Sequence, residues 1–271
     1  MTETPRTLGI LAGGGRLPAQ VAAAARAAGR SVFIVGLEGF ADPAVLAPWR
    51  HEIIRIGAAG RIMAALRGHG CQDLVLIGPV RRPSMLDLRP DAEGVRILGR
   101  IGRAAFLGDD GLLAAVIRVL GEAGFRVIGA HEVMRDALGP RGLLTRMAPD
   151  AQAVADLERG IAVARALGAA DVGQGCVVQQ GIVLAVEAVE GTDAMLARCA
   201  GLARPGVGGV LLKLVKPGQE RRADLPTIGP TTIAGAVAAG LRGVAFEAGG
   251  TILALFVLGL DPEAVMEGRV R

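Results

Sequence analysis

Residues 7–29 read TLGILAGGGRLPAQVAAAARAAG. The apolar run Thr7–Leu11 predicts a short buried strand. Ala12-Gly13-Gly14-Gly15 follows, then Arg16-Leu17-Pro18, then an alanine-rich stretch from Ala19 to Ala28 that stops at Gly29. Pro18 suits a first helical turn and Gly29 a C-terminal stop. The order is strand, glycine loop, helix, and the same alternation continues down the chain. Ser31–Val35, Ile53–Ile56, Leu74–Ile77 and Phe125–Ile128 read as strands. Ala59–Arg67, Val95–Phe106 and Gly111–Ala123 read as helices. Short apolar strands separated by amphipathic helices imply a parallel sheet covered on both faces. The fold class is therefore α/β, with a Rossmann-like parallel-sheet domain over about residues 1–130.

Beyond it the pattern changes. Residues 131–149 hold Gly139-Pro140, Gly142 and Pro149 and read as a connector. Asp150 is placed to cap a helix over Ala151–Leu167. Val177–Val178 and Ile182–Val186 pair as strands. Thr192–Ala203 and Ile233–Ala239 are helical, and Val210–Val215, Val244–Phe246 and the apolar run Ile252–Leu260 are extended. Residues 150–271 form a smaller α+β C-terminal domain on this reading.

The 271 residues are 51% apolar and only 3% aromatic, with a mean hydropathy of +0.45. A disordered chain would be poorer in apolar residues. Few aromatic rings disfavour a nucleic-acid partner that stacks its bases. Crossing a bilayer takes about 20 consecutive apolar residues, and the longest charge-free stretch, Leu225–Leu241, has 17 with Pro226 and Pro230 inside it. The N-terminus has no signal-peptide pattern. Cys71, Cys176 and Cys199 are too few and too scattered for a disulfide framework or a zinc site. These features predict a cytoplasmic protein. Its net charge of +4 suits an anionic ligand without demanding one.

Five stretches carry candidate chemistry. Gly13, Gly14 and Gly15 open a helix after a strand, where backbone amides can approach an anion; a tight βα turn explains them equally well. Gly78, Pro79 and Arg82 follow the strand Leu74–Ile77, so they belong on the same sheet rim as Gly14, and Arg82 can fork onto a phosphate. Gln179 and Gln180 can read a uracil edge, since an amide both donates and accepts; a β-turn accounts for them as well. Glu187 and the run Glu190-Gly191-Thr192-Asp193 form an acidic turn at a helix start. Thr192 suits a cap, Asp193 the positive helix end, and Glu187 a magnesium ligand. Lys213 and Lys216 are the only lysines among 30 basic residues, and they stand close in sequence to Asp224-Leu225-Pro226-Thr227-Ile228-Gly229. Lysine offers a compact point charge where arginine offers a fork. The Leu-Pro pair keeps the loop after Asp224 extended. A carboxylate there, with lysines and the Thr227 hydroxyl nearby, suits water activation beside a phosphate.

At these residues the sequence resembles the UDP-2,3-diacylglucosamine pyrophosphatases of lipid A biosynthesis, the type unrelated to the calcineurin-like metallophosphoesterases. The matching stretches are LGILAGGGRLP (8–18), GAHEVM (129–134), DVGQGCVV (171–178), LAVEAVEGTDAML (184–196), KPGQERRADLPTIGPTTI (216–233) and LFVLGLDP (255–262). They span nearly the whole chain in the family's order. The resemblance implies magnesium-dependent hydrolysis of the substrate's pyrophosphate to UMP and 2,3-diacylglucosamine 1-phosphate, with water attacking the sugar-side phosphorus. It implies a Rossmann-like first domain and a distinct second one, with the lipid held between them. It also implies homodimerisation and, for a lipid-linked UDP-sugar, peripheral contact with the inner membrane. The family's essential Asp falls on Asp224, with Mg²⁺ beside it. The lysines would then offset pyrophosphate charge.

The sequence departs from the family at one place. A helix-sized segment that members carry after the EAGGT stretch is absent, and Glu247–Ala254 runs directly into Leu255-Phe256-Val257. Such a chain also fits a non-catalytic carrier or sensor of a lipid-sugar phosphate. A nicotinamide-linked oxidoreductase fits less well. GxGxxG is absent and the second strand closes on Gly36 rather than an acid, while Glu38 beyond it reads equally as a turn residue.

Overall fold

The computed structural model of the chain describes residues 6–81, 84–102 and 109–254. The run Leu255–Leu260 and the LFVLGLDP stretch lie outside them. The chain folds as two compact units. One takes the chain up to Arg135 together with Glu220–Asp224; the other takes Asp136–Gln219 and the residues from Leu225 on.

In the first unit the elements follow as β1 (Thr7–Ala12), α1 (Leu17–Ala27), β2 (Val32–Leu37), α2 (Pro43–Leu46), β3 (His51–Ile54) and α3 (Ala59–Gly68). Then come β4 (Cys71–Ile77), α4 (Met85–Leu88), α5 (Ala92–Ile101), α6 (Asp109–Glu122), β5 (Arg126–Val127) and α7 (Ala130–Val133). The five strands pair parallel throughout, in the order β3-β2-β1-β4-β5. The order reverses direction at β1, so the crevice of an open α/β sheet falls at the carboxyl ends of β1 and β4. Pro18 sits in the first turn of α1, where the missing N–H has no intrahelical partner to lose. Phe33, Val35, Ile54, Leu66, Leu74, Ile117 and Phe125 bury into one core. Of residues 131–149, read from sequence as a connector, the first three belong to α7 and Arg135–Ala137 form a 3-10 turn.

The second unit contains α8 (Ala151–Ala169), β6 (Gly175–Gln179), β7 (Ile182–Val186), α9 (Gly191–Cys199), β8 (Val210–Lys213), β9 (Thr227–Ile228), α10 (Pro230–Ala238), β10 (Gly243–Phe246) and β11 (Ile252–Leu253). Its main sheet has the order β10-β8-β6-β7, with β10 parallel to β8 and the other pairs antiparallel. Side chains alternate across it, as a pleated strand requires. Cys176, Val178 and Leu212 meet Ala164 of α8, while Val177 and Leu211 meet Met195, Leu196 and Cys199 of α9. A further parallel pair, β11-β9, joins the stretch after Asp224 to the end of the described chain. The charge-free stretch Leu225–Leu241 is thus a short strand and the nine-residue α10. Among the described residues no helix is long and apolar enough to cross a membrane. The α/β class with a distinct second sheet is the one the sequence predicts.

Candidate functional site

In the first unit the loops after β1 and β4 meet at the strands' carboxyl ends. The Gly13 N–H donates to the Ile77 carbonyl and the Gly14 N–H to the Pro79 carbonyl, each at 2.9 Å. A Cβ at Gly13 would stand 2.4 Å from the Gly78 oxygen, so any side chain there would part the loops. Gly13, Gly14, Gly78 and Pro79 therefore share the rim that the sequence placed them on. Two of the three glycine amides are engaged with the neighbouring loop. Their role there is close backbone packing, and Gly15, at φ +76°, turns the chain into α1. Arg82 lies outside the described residues. Beside this rim a cleft of about 280 Å³ is lined by Glu38, Phe40, Arg55 and Asp87, after the ends of β2 and β3. Sequence reading passed over Arg55 and Asp87. For Arg55 the available signal was its position just beyond the end of β3; Asp87, inside α4, offered none.

Asp224 closes the segment Glu220–Asp224, which folds with this first unit although its chain neighbours belong to the second. The N–H groups of Ala223 and Asp224 both donate to the Glu220 carbonyl, at 3.0 and 2.9 Å. The Arg222 guanidinium forks onto the Glu220 carboxylate at 2.8 and 2.6 Å. That hydrogen bond holds the Glu220 carboxyl below its ordinary range. Ala223 packs against the first unit's core. Asp224 is thereby carried on a braced turn, half-buried.

The second unit gathers its polar residues where β6 starts and β7 and β8 end. Lys213, the last residue of β8, pairs with Gly175, the first of β6, and the Glu187 N–H donates to the Gly175 carbonyl at 2.8 Å. These strand ends bring Glu187 and Lys213 together, both buried. The Lys213 ammonium donates to the Thr192 hydroxyl at 2.6 Å, and that hydroxyl donates to Glu187 Oε1 at 2.6 Å. The ammonium itself lies 3.9 Å from Glu187 Oε1. Glu187 Oε2 is buried with no partner. Lys216 pairs with Asp171 at 2.6 Å, and its N–H donates to Gln219, whose amide in turn donates to Gln174. Sequence reading missed Asp171. A part-buried lysine calls for a carboxylate, but nothing in the spacing says which one.

Other expectations are redirected. Thr192 does not cap α9: the helix begins at Gly191, Glu190 precedes it without a side-chain cap bond, and the Thr192 hydroxyl points to Glu187 and Lys213. Asp193 does lie in the first turn of α9, at the positive end. Glu190 pairs with Arg198 at 2.8 Å. The buried Gln179 amide donates to the Arg204 and Val207 carbonyls and accepts from the Arg204 N–H, which makes it a loop anchor. Gln180 forms the β6–β7 turn and donates to the Pro205 carbonyl. The Thr227 hydroxyl donates to the Leu225 carbonyl, and Gly229 precedes α10.

The fit to magnesium differs between the two expected ligands. Among the described residues no group of three or more His, Cys, Asp or Glu side chains is arranged to hold a metal ion. Mg²⁺ commonly takes one or two carboxylates and leaves the rest to water and substrate phosphate. Asp224, on its braced turn, suits that. Glu187 suits it poorly, because a second cation on its carboxylate would stand beside the Lys213 ammonium.

Known proteins match most of the chain. A family model described as the LpxI N-terminal domain matches residues 7–137, and one described as the LpxI C-terminal domain matches residues 140–263. A relative from Caulobacter vibrioides, named UDP-2,3-diacylglucosamine pyrophosphatase LpxI, is 44% identical over 95% of this chain and 99% of its own length. Among solved structures, a UDP-glucose-4-epimerase from Stenotrophomonas maltophila aligns over 90% of this chain and 78% of its own, at 12% identity and a TM-score of 0.31. A putative oxidoreductase from Escherichia coli K-12 aligns over 95% and 98%, at 14% identity and a TM-score of 0.26. Likenesses of that size carry nothing about activity. The two matching domain models and the full-length relative do carry the family: this chain belongs to the LpxI family.

Proposed function

We propose that the chain hydrolyses the pyrophosphate bond of UDP-2,3-diacylglucosamine to UMP and 2,3-diacylglucosamine 1-phosphate, a step of lipid A biosynthesis. The observation that carries this reading is the 44% identity, over 95% of the chain, to a relative that bears that activity in its name. The residues support it. Asp224 sits on a turn braced by Glu220, Arg222 and Ala223, so the backbone that carries its carboxylate is fixed before substrate arrives. We assign it to orient the attacking water, to take its proton, and to hold magnesium. Bound Mg²⁺ supplies positive charge against the pyrophosphate oxygens. Lys213 and Lys216 add fixed positive charge of their own, each tethered by a carboxylate. In the reaction one water adds across the P–O–P bridge. Its oxygen ends on the sugar phosphate, and UMP leaves as the other half.

Asp224→Ala is expected to abolish UMP release, by a factor of about 10³ or more, while substrate binding is retained. Release of UMP by the wild type is read by chromatography with and without Mg²⁺, and in ¹⁸O-water the label is expected in the sugar phosphate. Near-normal turnover of the variant removes Asp224 from the reaction. Lipid binding by the wild type without any UMP would leave a binding protein. The same reading makes the protein a homodimer in peripheral contact with the inner membrane; sedimentation and liposome flotation test those two points.

A further inference from the structure

Two adjoining loops of the second unit hold a group of exposed apolar side chains. Residues 141–149 lead into α8, and residues 200–207 run from the end of α9 toward β8. Of these 17 residues, all but the half-buried Thr145 are exposed. They carry five of the twelve large apolar side chains exposed among the described residues: Leu143, Leu144, Met147, Leu202 and Val207. Met147 is 84% exposed, and Leu143 and Val207 are 56% exposed each. The loops meet where they end. Asp150, next after the first, accepts from the Arg242 guanidinium at 2.8 Å, and the Arg242 N–H donates to the Gly209 carbonyl, just beyond the second, at 2.9 Å. The second loop is also pinned from below, since the Gln179 and Gln180 amides donate to the Arg204, Pro205 and Val207 carbonyls. Single exposed apolar residues are ordinary, whereas a group of them on adjoining loops marks an interaction surface.

Charge selects the partner. The charged residues of the two loops are Arg141, Arg146 and Arg204, with no acid among them. Asp150 at their junction is taken by Arg242. The surface is therefore apolar and basic together. Two copies of the chain meeting here about a two-fold axis would set these arginines against each other. A protein partner needs close shape complementarity, which side chains on two irregular loops offer poorly. The fluid headgroup layer of a bilayer needs none, and its phosphates suit guanidinium groups. We propose that residues 141–149 and 200–207 dock the protein on an anionic phospholipid surface. The aliphatic side chains enter the headgroup layer and the arginines meet its phosphates. This rests on the lipid-linked substrate of the reading above and gives its membrane contact a place on the molecule. That place is apart from the polar cluster, because β6 runs from Gly175, beside Lys213, to Gln179, beside these loops.

Flotation on vesicles tests it, with phosphatidylcholine alone and with phosphatidylcholine carrying about 30% phosphatidylglycerol. The wild type is expected to float with the anionic vesicles, and far less with the neutral ones or in high salt. Arg141→Ser with Arg204→Ser is expected to weaken partitioning about thirtyfold, near fivefold for each arginine. Met147→Ser with Val207→Ser keeps the charge and is expected to weaken it about tenfold. Anionic vesicles are also expected to slow trypsin at Arg141 and Arg146 of the wild type, which locates the contact. Both double variants should release UMP from detergent-dispersed substrate at the wild-type rate. A wild type that floats on neither vesicle, or equally on both, overturns the proposal; UMP release from dispersed substrate then still upholds the hydrolase. Variants that float like the wild type overturn it too, and if they also sediment as monomers the surface belongs between copies of the chain. Flotation lost in both variants, in a protein that makes no UMP, upholds the contact and removes the hydrolase reading instead.

Discussion

At the scale of single residues, burial and partners together set how a charge behaves. Asp73 in β4 is the clearest case outside the candidate site. Burial alone would raise its carboxyl, but hydrogen bonds and charge from Arg126 and Arg30 outweigh that and hold it below its ordinary range. A depressed folded value means stability that is present above the unfolded value of about 3.9 and is lost as pH falls through the folded one. Asp73→Asn is therefore expected to cost about 2 kcal/mol near neutral pH. That is less than a wholly buried pair would cost, because Arg126 is largely exposed and screened. Urea melts of both proteins should show the gap closing as the pH is taken below 4; a constant gap would mean that the carboxylate charge contributes nothing. The cysteines show the opposite sign. Burial pushes the Cys71 and Cys176 thiols up to about 11, and Cys199 is raised for the same reason. None of the three should react with a chromogenic disulfide reagent at pH 8 until the chain is denatured.

At the scale of elements, close approach and turn chemistry govern the functional rims. The β6–β7 hairpin turns on Gln180 and Gly181, both at positive φ, as a two-residue turn requires. Asp156, buried on α8, holds that turn. It accepts from the Gly181 N–H at 2.6 Å and the Gln180 N–H at 3.1 Å, and from Gln152. Asp156→Ala leaves two buried turn amides without their acceptor and is expected to cost about 3 kcal/mol in a denaturant melt. A loss under about 0.5 kcal/mol, the level of an ordinary surface substitution, would show that water replaces the carboxylate. The turn was legible from Gln180-Gly181 in the sequence. Its anchor was not, since Asp156 is far from it along the chain and meets it only because α8 packs on β6 and β8.

At the scale of the whole molecule, the chain is interleaved. It leaves the first unit after Arg135, returns to it for Glu220–Asp224, and then goes back to the second. Asp224 is thus carried by a short visit. A cut in the exposed stretch at Arg141 should not free the first unit, because Glu220–Asp224 arrives from the far fragment. After limited trypsin treatment the two fragments are expected to co-elute on a sizing column under native conditions. Separate elution would mean that the segment is not held by the first unit. Sequence reading placed the break between domains by composition, and composition cannot reveal a five-residue return.

Local pattern was enough for the parallel-sheet class, the longer helices and the residue types of the site, but not for the four-residue helices α2, α4 and α7. TLGILAGGG followed by an alanine-rich helix declares a βα unit through spacing alone, whereas the strand order β3-β2-β1-β4-β5 is seen only in the fold. The two lysines, the acidic turn and the Asp-Leu-Pro loop stood out because their chemistry is unusual in this composition. Partnership was decided only in three dimensions. That Thr192 bridges Lys213 and Glu187 instead of capping α9, that Gln179 anchors a loop, and that Asp171 answers Lys216 all depend on where strand ends meet. Hydrogen bonds act over about 3 Å in space, and a sequence records neighbours only along the chain.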